Sequence, residues 1–156
     1  MNDAQTAGLA QLESLVGQVI SRSLWVEIDQ ERVNSFADIS GDHQWIHVDI
    51  ERAKSGQYGN TIVHGNLTLS MLGHLPLEFE HLPNQLEGQV MGLNYGYNRI
   101  RFPAPLIVGS TIRVTSTLQR VEVKGHMLET MTEAVAEVEG GEKPVCVAER
   151  LRRWVF

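Results

Sequence analysis

The 156-residue chain is 42% hydrophobic and 21% charged, the balance of an ordinary soluble globular domain with enough chain to bury a core unaided. Its formal net charge of -6 argues against non-specific nucleic-acid binding, no apolar run approaches a membrane span, and the single Cys146 cannot close an internal disulfide. The N-terminus lacks the basic region and apolar core of a secretory leader, so the expectation is one cytoplasmic domain over residues 1–156.

Along the chain, Leu9, Leu12, Leu15 and Val16 recur at helical spacing and predict a helix over residues 6–16, stopped by Gly17. Residues 1–22 are read as an N-terminal helical extension. Residues 23–28 alternate, with Leu24, Val26 and Ile28 apolar, and predict a short strand. Asp29 is placed to N-cap a helix with Glu31 in its first turn, a buried stripe of Val33, Phe36 and Ala37, and Gly41 as its stop. Asp49 caps another short helix running to Lys54. Residues 66–77 differ in kind: Leu67, Leu69, Met71, Leu72 and Leu75 lie nearly all round a helix, which predicts a helix enclosed by the fold. Gly73 permits close approach of a neighbouring backbone, and Pro76 disturbs or ends the helix.

Four long strands follow. Residues 89–102 are rich in Tyr, Asn and Gly, and Pro103 and Pro105 turn the chain. Residues 111–123 carry Ile112, Val114 and Leu118 on one face, and the shift in phase at Val121 and Val123 suggests a bulge. Residues 127–139 put Leu128, Ala134, Ala136 and Val138 on one parity. After Gly140 and Gly141, residues 145–156 form the last strand. Helices first, one enclosed helix, then antiparallel strands predict an α+β domain with a sheet wrapped around a helix. The open edges of such a sheet point to a homodimer.

Asp42 and His47 stand five residues apart just after Gly41. Histidine exchanges protons near neutral pH and a carboxylate orients water, so together they can hold one water for addition to a double bond. The same residues also fit an Asx turn and a buried structural histidine. Gly65 opens the enclosed helix, where its N–H can donate to a developing oxyanion; a tight turn into the helix equally demands glycine. His64 reads as supporting or structural. The i, i+4 spacing of His43 and His47, with Asp42 and His64 as further ligands, is the pattern a metal site would need on a continuous helix. Gly41 ends the helix before that spacing starts, so no metal and no cofactor is expected. Cys146 reads as a buried small hydrophobe, and Ser70 lacks the turn of a hydrolase nucleophile. Arg99 and Arg101 are candidates for contact with phosphates.

Phe36, Ala37, Asp38, Ile39, Ser40, Gly41 and Asp42 through His47, Val48 and Asp49, then Ala53, then Ile62, Val63, His64 and Gly65 resemble the hydratase 2 motif of MaoC-like dehydratases. The runs from Gly41 to His47 and from Asn94 to Pro105 look like the nodulation protein N-like branch, and the resemblance extends from about Trp25 to the C-terminus. It implies a hot-dog fold, usually dimeric, and (R)-specific hydration of trans-2-enoyl-CoA to 3-hydroxyacyl-CoA. By position, Asp42 and His47 become the water-holding pair and Gly65 the donor to the thioester carbonyl. The family's usual Asn-Pro is replaced by Gln44 and Trp45, and a serine found on the helix of some relatives falls near Gly73, with Ser70 the nearest substitute. An acyl-CoA thioesterase or a non-catalytic acyl-CoA-binding subunit are the alternatives.

Overall fold

A computed structural model describes residues 1–82 and 85–156. In chain order the elements are α1 (Asp3–Glu13), β1 (Val19–Ser23), β2 (Val26–Glu27), α2 (Gln30–Ser40), α3 (Trp45–Val48), α4 (Ile50–Lys54), α5 (Gly65–Met71), β3 (Leu77–Glu80), β4 (Met91–Arg101), β5 (Thr111–Lys124), β6 (Met127–Val138) and β7 (Cys146–Val155). The sheet is antiparallel with strand order β3-β1-β5-β6-β7-β4, and β2 pairs with β5 off that path. This is the expected α+β hot-dog arrangement.

The inner face of the sheet carries two apolar clusters. The larger joins Leu67, Met71, Leu72 and Leu75, from α5 and the turn after it, to Ile112 and Val114 on β5, Ala134 and Ala136 on β6, and Cys146 and Ala148 on β7. Small alanines on β6 and β7 let the helix lie close to the sheet. The second joins Leu12 of α1 to Leu118, Leu128 and Trp154. Each fully buried leucine contributes roughly 1.5–3 kcal/mol, so α1 anchors its end of the sheet through few residues.

Both aspartate caps form. Asp29 accepts from the Arg32 N–H at 2.8 Å and Asp49 from the Arg52 N–H at 3.0 Å. Several boundaries move. The first helix runs over Asp3–Glu13, three residues earlier than its apolar spacing suggests, because the Asn2 side chain caps it by accepting from the Gln5 N–H. Residues 1–22 are therefore helical only in part: β1 pairs with β3 and β5 inside the sheet, with Ile20 in the core. The enclosed helix is shorter than 66–77. It ends at Met71, and the chain tightens through i→i+3 bonds from the Leu72 and His74 N–H groups before it reaches Pro76. Nor is it closed all round: Asn66, Ser70 and Gly73 form an exposed stripe. The bulge expected near Val121 lies between Leu118 and Arg120.

Candidate active site

α2 ends at Ser40, and Gly41 takes the left-handed conformation at φ 78°, which turns the chain and leaves Asp42 beyond the helix end. α3 is one turn long, and two anchors compensate for its shortness. Gln30 Nε2 donates to the His47 carbonyl at 2.8 Å, while Thr61 Oγ1 donates to Gln30 Oε1 at 2.6 Å. Thr61 is fully buried, so the first residue of α2 clamps α3 from the protein interior.

The hydrogen bonds of the two buried histidines fix which ring atoms are left over. His47 Nδ1 lies 2.7 Å from the Ile62 carbonyl, which only accepts; Nδ1 therefore carries the proton and the neutral ring keeps its lone pair at Nε2. His64 Nε2 donates in the same way to the Asp42 carbonyl at 2.9 Å. Its Nδ1 is buried without a partner among the described residues. The two rings stack with centroids 3.8 Å apart, and Phe36 packs against His64 at 5.0 Å.

One nitrogen from each ring and a carboxylate oxygen of exposed Asp42 lie within 4.8 Å of one another. A carboxylate and two imidazoles this close together can share one small polar ligand. A water molecule supplies two hydrogens to such a group, and the N, N, O set is also chemically suited to a metal ion. His43 is not part of it: its Nε2 pairs with Asp38 at 2.9 Å on the surface, and that hydrogen bond raises its pKa. Burial holds the His47 imidazole below its ordinary range; neighbouring His64 acts in the same direction, and the Ile62 hydrogen bond and Asp42 oppose. His47 is thus neutral at neutral pH, with its lone pair available to accept a proton.

Gly65 is the first residue of α5, and no side chain caps that helix, so its first-turn N–H groups have no intrahelical acceptor. A Cβ at this position would stand 3.0 Å from the Phe102 ring. The Phe102 ring packs closely over Gly65, whose φ is not positive, so a side chain here would have to displace that ring by a few tenths of an ångström.

The remaining candidates are scattered. Gln44 is exposed, and its N–H donates to Asp42 Oδ1 at 3.3 Å. Trp45 stands two residues from His47, hence on another side of the turn, with the Arg52 guanidinium 4.3 Å from its ring centre. Ser70 is exposed and donates to the Leu67 carbonyl. Arg99 and Arg101 flank Ile100, which packs on the core, so both arginines point to the other face of β4. Cys146 is buried in the core and its thiol is pushed up to about 11, which leaves no useful thiolate. Sequence reasoning passed over Gln30, Thr61 and Phe102, and the Ile62 carbonyl that orients His47. No local pattern marks a main-chain carbonyl fifteen residues from its partner.

The chain is similar to known proteins in both sequence and fold. Residues 11–140 match the family model described as MaoC like domain. The chain is 47% identical over 148 residues to 3-hydroxyacyl-thioester dehydratase Z of Mycobacterium tuberculosis, covering 94% of this chain and 95% of the relative. It is 40% identical over 142 residues to nodulation protein N of Rhizobium leguminosarum bv. viciae, covering 90% and 86%. The fold matches the monoamine oxidase regulatory protein of Archaeoglobus with a TM-score of 0.77 at 23% identity, covering 92% of this chain and 93% of that one. On the length of the family match and the identity to its relatives, the chain belongs to the MaoC-like dehydratases and is a hydro-lyase.

Proposed function

We propose that the protein catalyses the reversible, (R)-specific hydration of trans-2-enoyl-CoA to (R)-3-hydroxyacyl-CoA, with Asp42 and His47 holding the water. The observation that carries this reading is the gathering of the Asp42 carboxylate with one ring nitrogen each of His47 and His64 within 4.8 Å, where the Ile62 hydrogen bond keeps the proton of His47 on Nδ1 and its lone pair on Nε2. Water bound there is oriented by Asp42 and loses a proton to neutral His47 as its oxygen bonds to C3. The electron pair of the C2–C3 double bond moves toward the thioester, and negative charge builds on its oxygen. The Gly65 N–H, at the uncapped start of α5, is the donor for that oxygen. The proton taken by His47 is passed to C2, so water is added as a whole and the pair returns to its starting state.

The same reading takes residues 1–156 as one domain, acting in the cytoplasm without a cofactor. It also takes the protein as a homodimer. Among the described residues β4 pairs on one side only, with β7, and Met91, Leu93, Tyr95 and Tyr97 are exposed along it. An edge this long and apolar is a template for strand pairing, and a second copy of β4 satisfies it symmetrically.

The test is to incubate the protein with a trans-2-enoyl-CoA, resolve the product on a chiral column and follow free thiol in parallel. Formation of the (R)-3-hydroxy product without CoA release supports the hydratase. Release of free CoA would make the chain a thioesterase, and thermal stabilisation by the thioester without turnover would make it a binding subunit.

A further inference from the structure

The inner face of the sheet is not apolar throughout. Cross-strand pairs between β6 and β7 run Ala136–Cys146, Ala134–Ala148, Thr132–Arg150, Thr130–Arg152 and Leu128–Trp154. The first two belong to the larger apolar cluster and the last to the smaller one. Alternate residues of a strand share a face, so the two arginines between them point to the same inner side. They line a cavity of about 450 Å³ next to the C-terminal end of α5.

Two glycines on other elements make room for these side chains. A Cβ on Gly73, just past α5, would collide with the Arg150 guanidinium, and one on Gly92 of β4 would stand 2.7 Å from Arg152 Nη2. Asn94 Oδ1 accepts from Arg150 Nη2 at 2.7 Å and fixes its plane, while the Arg152 guanidinium lies 3.9 Å from the Trp154 ring centre. Burial and the nearby Arg150 both work against the charge on Arg152; Glu80, also on the cavity wall, works for it. Two part-buried guanidiniums thus stand side by side on the inner face of the sheet, with Glu80 near Arg152. Their fork geometry suits a planar carboxylate or a phosphate, and the Ser116 and Thr132 hydroxyls face the same space.

We propose that this cavity is an oxyanion-binding site in which Arg150 and Arg152 hold a carboxylate or a phosphate. The anion has two possible sources. Gly73 stands eight residues beyond Gly65, about 12 Å at the helical rise, and the exposed stripe of Asn66, Ser70 and Gly73 joins the two ends. A carboxylate at the far end of an enoyl chain whose thioester sits at Gly65 reaches the cavity along that stripe; this source rests on the hydratase reading. A free inorganic anion is the other source.

The test begins with the full chain at constant ionic strength, titrated with inorganic phosphate and with suberate in a calorimeter. Saturable binding of either probe is expected, weakened about tenfold or more in Arg150→Met. Gly73→Ala, which puts a methyl where the guanidinium lies and removes no charge, is expected to weaken it as well. In the second arm, trans-2-enoyl-CoA substrates of equal length ending in carboxylate or methyl are compared. A carboxylate-to-methyl ratio of kcat/KM that falls in Arg150→Met assigns the anion to the acyl chain. An unchanged ratio with weakened phosphate binding assigns it to a free anion. The proposal is overturned if neither probe binds the wild-type chain, or if affinities are the same in wild type, Arg150→Met and Gly73→Ala. Anion binding without turnover of any enoyl thioester would remove the hydratase reading and leave the site standing.

Discussion

The imidazoles of His47 and His64 stack 3.8 Å apart, and each gives its N–H to a main-chain carbonyl, His47 to Ile62 and His64 to Asp42. Two hydrogen bonds thereby set both tautomers, and one nitrogen of each ring lies within 4.8 Å of an Asp42 carboxylate oxygen. His64 is thus a positioning residue: it holds the main chain of Asp42 and one face of the His47 ring.

Replacing His64 with alanine is expected to strand the Asp42 carbonyl and loosen both members of the pair. Denaturant titration should show a loss of about 1–3 kcal/mol. Misplacing reacting groups by an ångström costs about a hundredfold, so kcat should fall by that order with KM little changed. His64→Gln, whose amide can donate to the same carbonyl, should recover part of the rate; a His64→Ala enzyme with normal kcat would contradict the positioning role.

The pH dependence follows from burial of His47. Its pKa in the folded protein lies below the value of about 6.5 for a free imidazole. The acid limb of kcat/KM is therefore expected below pH 6.5, since the base stays neutral until its depressed pKa is reached. For stability, the unfolded chain takes up this proton first as pH falls. The contribution of neutral His47 is complete above about pH 6.5 and is lost as pH falls through the folded value. An acid limb at or above 6.5 that persists in His43→Gln would remove His47 from the role of base.

Gly65→Ala places a methyl 3.0 Å from the Phe102 ring, which has to shift. Phe102 is nearly half exposed, so the shift is expected to cost at most about 1 kcal/mol, the low end for overpacking, while the added methyl crowds the first turn of α5. Lower kcat is expected, with partial recovery in the Gly65→Ala, Phe102→Leu double variant. Additive effects of the two substitutions would show that the ring contact is not what selects glycine.

The four long strands, the caps at Asp29 and Asp49, and the left-handed Gly41 were legible in the sequence because each is written in neighbouring residues: alternation, a cap followed by its helix, a stop. β1 and β3 were not legible. Val19 to Ser23 is too short to show alternation against the helical pattern before it, and its place is set by pairing with residues about a hundred positions away. The proposed Asp42–His47 pair was visible through its spacing and its resemblance. The supporting groups were not: Gln30, Thr61 and the Ile62 carbonyl act through contacts made only when α2, α3 and the stretch before α5 meet. The inward arginines were hidden for a related reason, since Thr130 and Thr132 break the apolar parity of β6 only when read across to Arg152 and Arg150.

Cys146 should be silent. With its thiol pushed up to about 11 and fully buried, it is expected to react with a maleimide only on unfolding, and Cys146→Ala should keep full enoyl-CoA turnover. Rapid labelling of the native protein together with loss of activity would point to a thiol mechanism instead.

The most direct measurement is the rate of trans-2-enoyl-CoA hydration, followed as loss of enoyl absorbance, in the wild type, Asp42→Asn and His47→Ala, with folding checked by circular dichroism. General acid–base groups contribute about 10²–10⁴-fold, so each folded variant is expected to lose at least that much kcat while the wild type turns over. Wild-type rates in both folded variants would contradict the assignment of Asp42 and His47 as the pair that holds the water.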